Sequence, residues 1–127
     1  MNIKKILIAD DEPYVARVLK LVLQQEGYEV NCVINGKLAL DAYMENRPDI
    51  LVTDVKMPNM TGRELVEAIR HTNGDYDTPI VVMTSTLESE NRDWVGDINN
   101  VSFVGKPVSP RELVRIVNNY FIQSKAS

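Results

Sequence analysis

Five short apolar runs alternate with five longer segments of helical period along the 127 residues, and this alternation restricts the possible folds most. The runs cover residues 6–9, 28–33, 50–53, 80–83 and 101–104. Four are near-continuous Val/Ile/Leu stretches, as strands covered on both faces require. The second alternates, with Val30 and Cys32 against Glu29 and Asn31, which predicts a less covered edge strand. Between the runs, Val15, Val18, Leu19 and Val22 form an apolar helical stripe that ends at Gly27. Leu40, Tyr43 and Met44 predict a second stripe, and Leu65, Ala68 and Ile69 a third. The last helix is predicted from Ser109 with Glu112 as a capping box, Pro110 at the first helical position, and Leu113, Ile116, Val117, Tyr120 and Phe121 on one face. The segment 87–98 is the weak one. Leu87, Trp94, Val95 and Ile98 leave a polar gap, and Gly96 with Asn99 and Asn100 ends it early, predicting a short helix.

Strands alternating with helices predict a three-layer α/β domain with a parallel five-stranded sheet and right-handed crossovers. One domain is expected over residues 1–127, with its core at about 3–123. A 44% hydrophobic and 25% charged composition excludes a disordered chain. The net charge of −4 argues against direct nucleic-acid binding, which needs clustered Lys and Arg. A lone Cys excludes a disulfide framework and suits a reducing cytosol. Residues 1–5 lead into an apolar run too short for a signal peptide, and no stretch is long enough to insert in a membrane. The expected location is therefore cytoplasmic.

Ligands of such sheets lie outside the carboxyl ends of the strands. After the first run come Asp10, Asp11 and Glu12; the third strand ends in Asp54, with Lys56, Met57, Pro58 and Gly62 following. Thr84 and Ser85 follow the fourth run, and Lys106 and Pro107 the fifth, while Asn35 and Gly36 after the second carry no charge. Convergence of the four polar ends requires strands one, three, four and five to be neighbours, hence the order 2-1-3-4-5. Converging carboxylates repel, and a hard cation such as Mg²⁺ relieves the conflict. Neither thiol nor imidazole stands at these ends, which argues against zinc. Carboxylates, an ammonium and a hydroxyl together suit a phosphoryl group, with Asp54 as the available covalent acceptor.

Asp10 and Asp11, Asp54, the run Lys56-Met57-Pro58-Asn59-Met60-Thr61-Gly62, the run from Pro79 to Ser85, and Lys106-Pro107 follow one another in an order that resembles the receiver domain of bacterial two-component response regulators. The similarity covers about residues 3–123 and implies the chemotaxis-type (CheY-like), flavodoxin-like (βα)5 fold. It implies Asp54 as phosphoacceptor, and Mg²⁺ held by Asp11, Asp54 and the backbone carbonyl of Lys56, with Asp10 acting through a water. It implies Lys106 and Thr84 as partners of the phosphoryl group, Thr84 and Phe103 as the switch pair, and a cis peptide between Lys106 and Pro107. Lys56 and Thr86 occupy the two variable positions that tune phosphoryl loss in the family. Asn99 and Asn100 replace a frequent Gly-Ala pair beside the usual output face.

The implied function is to take a phosphoryl group from a histidine kinase or phosphotransfer protein onto Asp54. The chain would then switch partner binding at the face of the fourth helical segment, fifth strand and last helix. It would catalyse only its own phosphorylation and dephosphorylation, as a monomer or a phosphorylation-dependent dimer. The alternative is the same domain within a larger DNA-binding regulator or hybrid kinase. An aspartyl-nucleophile phosphatase of the haloacid-dehalogenase type needs an Asp where Lys56 stands, and a cap domain. A receiver-like scaffold that is never phosphorylated has no need of the intact acidic residues, Thr84 and Lys106. Three readings are structural: Asp10 and Asp11 could cap the next helix, His71 is expected to be a C-terminal capping cation, and Cys32 a small buried hydrophobe. Trp94 could anchor the weak helix or face a partner.

Overall fold

A computed structural model of the chain describes residues 3–85 and 100–126, with side chains through residue 122. The predicted helix at 87–98, with Trp94, and the variable position Thr86 lie outside the described residues. Strands β1 (Lys5–Ala9), β2 (Glu29–Val33), β3 (Ile50–Asp54), β4 (Ile80–Thr84) and β5 (Val101–Gly105) form one sheet. The order is β2-β1-β3-β4-β5 and every neighbouring pair is parallel, as the converging strand ends require. Helices α1 (Pro13–Gln25), α2 (Gly36–Glu45), α3 (Gly62–Glu67) and α4 (Pro110–Ala126) cover it, and a π-helical turn at Ala68–Thr72 continues α3.

Alternation along the strands divides the core into two layers. Leu7, Ala9, Leu51, Ile80 and Val82 face α2 and α3, where Ala39, Tyr43, Leu65 and Ile69 meet them. Ile6, Ile8, Val52, Val81 and Met83 face α1 and α4, where Leu19, Leu23, Leu113 and Val117 close the second layer. The central strands β3 and β4 are buried throughout, while β2 at one edge alternates. Truncating a fully buried residue such as Leu51 or Leu65 to Ala should cost about 2–5 kcal/mol.

Several boundaries differ from the sequence reading. Asp54 ends β3 as the sequence reading has it, and Thr84 is the last residue of β4 rather than the first after it, so the backbone ladder fixes both. The buried face of α1 is Ala16, Leu19 and Leu23, and Val18 is exposed. In α2 it is Ala39 and Tyr43, with Met44 exposed. Ala16 and Ala39 are buried although their hydropathy is weak, which an apolar stripe read from large side chains does not register. Gly27, at φ 97°, ends α1 as predicted. The Ser109 hydroxyl accepts the Glu112 N–H (3.4 Å), and the Glu112 carboxylate accepts from Arg115. The reciprocal capping box stands instead at Thr61 and Glu64. Cys32 is half-buried rather than buried, its thiol 3.8 Å from the Ala16 carbonyl.

Candidate functional site

Parallel pairing brings the ends of β1, β3, β4 and β5 to one edge, where a cavity of about 840 Å³ opens. Asp11, Glu12, Asp54, Lys56, Thr84 and Lys106 line it, and it continues over Tyr14, Val18 and Val108 beside α1. The structure therefore gathers most of the strand-end residues that the sequence singles out.

Asp54 lies 5% exposed at the end of β3. Its Oδ1 accepts the Val55 N–H at 2.8 Å, and its Oδ2 accepts from Lys106 Nζ at 2.7 Å. Lys106 is aimed there by its own backbone, whose N–H donates to the Thr84 carbonyl at 2.8 Å. Burial alone would lower the Lys106 ammonium. The Asp54 hydrogen bond and the negative charge of Asp54, Asp10 and Glu12 outweigh it and raise the ammonium above its ordinary value, so it stays charged. The Lys106–Pro107 peptide is cis.

Asp10 is wholly buried. Its Oδ1 accepts the Glu12 N–H at 2.8 Å. Its Oδ2 is the one buried side-chain polar atom among the described residues that has no hydrogen-bond partner. Burial raises the Asp10 carboxyl above its ordinary range, and the Asp54 charge adds to this, against the Glu12 hydrogen bond and Lys106. The helix-capping reading of Asp10 and Asp11 does not hold. The residue preceding α1 is Glu12, and no side chain caps that end.

Asp10, Asp11, Glu12 and Asp54 each offer a carboxylate oxygen, all within 4.8 Å of one another. An all-oxygen donor set with a buried, unpartnered carboxylate oxygen fits a hard divalent cation. Glu12 is the residue that sequence reading left without a role. Its carboxylate also lies 3.5 Å from Lys106 Nζ, and the run Asp10-Asp11-Glu12 was the available signal.

Thr84 is buried, and its strand partner is Gly105, so β5 presents no side chain directly opposite it. Phe103 pairs with Val82 on the same face and is half-buried against the α2–α3 layer. Lys56 is exposed on the cavity wall. His71 lies in the π-helical turn, its Nδ1 3.3 Å from the Tyr76 hydroxyl.

Two glycines that read as isolated in the sequence fix the loop between β3 and α3. A Cβ on Gly62 would stand 2.1 Å from the Asp54 carbonyl oxygen, and one on Gly36 would stand 2.2 Å from the Met60 carbonyl oxygen. Such contacts join residues far apart in sequence and leave no local pattern.

Residues 6–118 match the family model described as the response regulator receiver domain. Among solved structures, the chain is similar to the chemotaxis response regulator CheY4 of Vibrio cholerae, with 30% identity and a TM-score of 0.84 over 93% of this chain and 98% of that one. The receiver domain of the Francisella response regulator 1452 shares 27% identity, with a TM-score of 0.85 over 95% and 98% of the two chains. The signal receiver domain of a signal transduction histidine kinase from Syntrophus aciditrophicus shares 28%, with a TM-score of 0.83 over 98% and 94%.

Proposed function

This chain belongs to the response regulator receiver domain family, and on that premise we propose that Asp54 is the residue that accepts a phosphoryl group in two-component signalling. The observation that carries the proposal is the Asp54 carboxylate, 5% exposed and hydrogen-bonded to Lys106 at 2.7 Å, beside the orphan oxygen of Asp10.

An Asp54 carboxylate oxygen attacks phosphorus, forming the acyl phosphate as the bond from phosphorus to the donor breaks. With a histidine donor, the leaving imidazole nitrogen takes a proton. Asp11, Asp54 and the Lys56 carbonyl are proposed to hold Mg²⁺, with Asp10 acting through a water, and that ion supplies charge neutralisation to the transferring group. Lys106 exchanges its Asp54 partner for a phosphoryl oxygen, and the Thr84 hydroxyl donates a second hydrogen bond. Movement of Thr84 towards the phosphoryl group changes the space beside Phe103, which lies on the same face of the sheet on the neighbouring strand β5.

The donor is proposed to be a histidine kinase or a phosphotransfer protein. The readout is partner binding at the face that includes β5 and α4. The chain is read as one domain, 1–127, catalysing only its own phosphorylation and dephosphorylation. Among the described residues no helix is long and apolar enough to cross a membrane, and a cytoplasmic location is proposed on the family's signalling role.

Incubation with Mg²⁺ and a small acyl-phosphate donor should add one phosphoryl mass, and Asp54→Asn should abolish the addition. Labelling that persists in Asp54→Asn overturns the assignment.

A further inference from the structure

The end of β2 carries no charge, and neither Asn35 nor Gly36 lines the acidic cavity among the described residues. Its neighbour in space is the loop 55–61, which contributes Val55 and Lys56 to the cavity wall. That loop is held tightly. The Gly62 N–H donates to the Val55 carbonyl at 2.8 Å, and the Met60 N–H to the Pro58 carbonyl at 2.7 Å. Met57 is buried in the α2–α3 layer, and Asn59 takes the left-handed conformation at φ 68°.

On its side facing α2, the loop rests on Gly36. A Cβ there would stand 2.2 Å from the Met60 carbonyl oxygen, 2.8 Å from its carbon and 2.9 Å from the Met60 Cβ. Two of these are backbone atoms, which no rotamer change can move aside. Asn35 caps α2 by accepting the Leu38 N–H at 2.8 Å, so the helix end that receives the Met60 carbonyl is itself fixed. A carbonyl oxygen is favoured at that positive end, and a Cα–H contact adds to the fit.

We propose that Gly36 is a positioning residue for the acidic site: it lets the Met60 carbonyl seat on the first turn of α2, which sets where the loop presents Lys56 to the cavity. The inference rests on the Mg²⁺-binding reading above. It gives the uncharged strand end a role in the site.

The test compares Gly36→Ala with Val30→Ala, which trims a buried side chain of the α1–α4 layer remote from the loop. Mg²⁺ is titrated calorimetrically into both variants and the unaltered chain, and thermal unfolding is followed in parallel. Gly36→Ala should weaken Mg²⁺ binding about ten-fold, the order of loss seen when support of a ligand is removed. Val30→Ala should lose thermal stability without a change in Mg²⁺ affinity. Unchanged affinity in Gly36→Ala, or an equal loss in Val30→Ala, overturns the proposal.

Should Gly36→Ala not fold, nitrogen-15 spectra of the unaltered chain decide. The Gly36 and Met60 amides should shift with the same Mg²⁺ dependence as Lys56, and a silent Gly36 overturns the proposal. An unaltered chain that binds no Mg²⁺ overturns the Mg²⁺ reading itself, and this inference with it.

Discussion

Lys106 Nζ lies 2.7 Å from Asp54 Oδ2 and 3.5 Å from a Glu12 carboxylate oxygen, so one ammonium is shared by two carboxylates of the same cavity. The two contacts differ in weight. The Asp54 side chain is 7% exposed and that of Glu12 60%, so solvent screens the Glu12 pair, whose worth is at most about 1 kcal/mol. Asp54 is therefore the partner whose chemistry Lys106 governs.

This arrangement predicts a split in the behaviour of Lys106→Met. Removing the cation leaves the carboxylates repelling one another, which favours a divalent ion, so Mg²⁺ affinity should rise. Phosphorylation by an acyl-phosphate donor should nevertheless slow by about 10²–10³-fold, the usual loss for one preorganised donor to a developing charge. Calorimetric titration and a rate measurement on the same protein test both halves. A parallel fall in affinity and rate would mean that Lys106 supports the shape of the site rather than the transferring group.

Asp10→Asn should stabilise the chain when no divalent ion is added. The native carboxylate is wholly buried with one unpartnered oxygen, a cost the fold carries. An amide removes the charge and can donate to neighbouring carboxylates. Urea unfolding in chelator should show a gain of about 1–2 kcal/mol. Added Mg²⁺ should stabilise the unaltered chain by linkage and stabilise the variant less. Lower stability of Asp10→Asn in chelator would show that Asp10 is structural.

At the amino-terminal end of the strands, a second polar cluster predicts the pH response of stability. Asp75 Oδ2 accepts from the Tyr43 and Thr78 hydroxyls, each at 2.5 Å, and Oδ1 accepts the Asp77 and Thr78 N–H groups and pairs with Arg47. Burial works to raise the Asp75 carboxyl, but these hydrogen bonds outweigh it and hold it well below the carboxylate range. Burial, and then the bond to Asp75, push the Tyr43 hydroxyl up to about 12.

The signs are opposite. A lowered carboxyl contributes stability that is present above about pH 4 and lost as pH falls towards its folded value. A raised phenol contributes stability that is present below about pH 10 and lost as pH climbs to 12, on the order of 2 kcal/mol. Urea unfolding across pH 2–12 should show both limbs, and Tyr43→Phe should flatten the alkaline one. An alkaline limb unchanged in Tyr43→Phe would remove the phenol from the account.

Why the acidic cavity was legible from sequence and this second cluster was not is a matter of locality. Strands of a parallel sheet bury both faces, so their apolar runs and the polar residues that end them stand out along the chain. Asp54, Thr84 and Lys106 could be named from that rule alone. Val18 and Met44 extend apolar stripes by period yet lie exposed, while Ala16 and Ala39, weak in hydropathy, are buried. The glycine contacts at Gly36 and Gly62 join backbone to backbone across the fold and need three dimensions to be seen. Arg70 is the sharpest case. The apolar pattern of the third helix gives it no role, yet it is wholly buried.

The π-helical turn explains that burial and yields the last prediction. One extra residue in the turn shifts the helical phase, and Arg70 lies inside the protein beside the buried Ile69. Its guanidinium donates to the backbone carbonyls of Asp75 (2.8 Å), Thr78 (2.6 Å) and Asn100 (3.4 Å), tying the segment before β4 to the start of β5. Arg70→Met would leave these carbonyls short of donors and should cost about 3 kcal/mol or more. Arg70→Lys should not restore the loss, because a single ammonium cannot reproduce the spread of a planar fork. The Ile80 amide, which donates to the Asn100 carbonyl at 2.8 Å, supplies a local readout: its hydrogen exchange should quicken more than that of Ile8 in the sheet centre. Full recovery of stability in Arg70→Lys would mean that charge alone matters there, and the geometric account of the turn would fall.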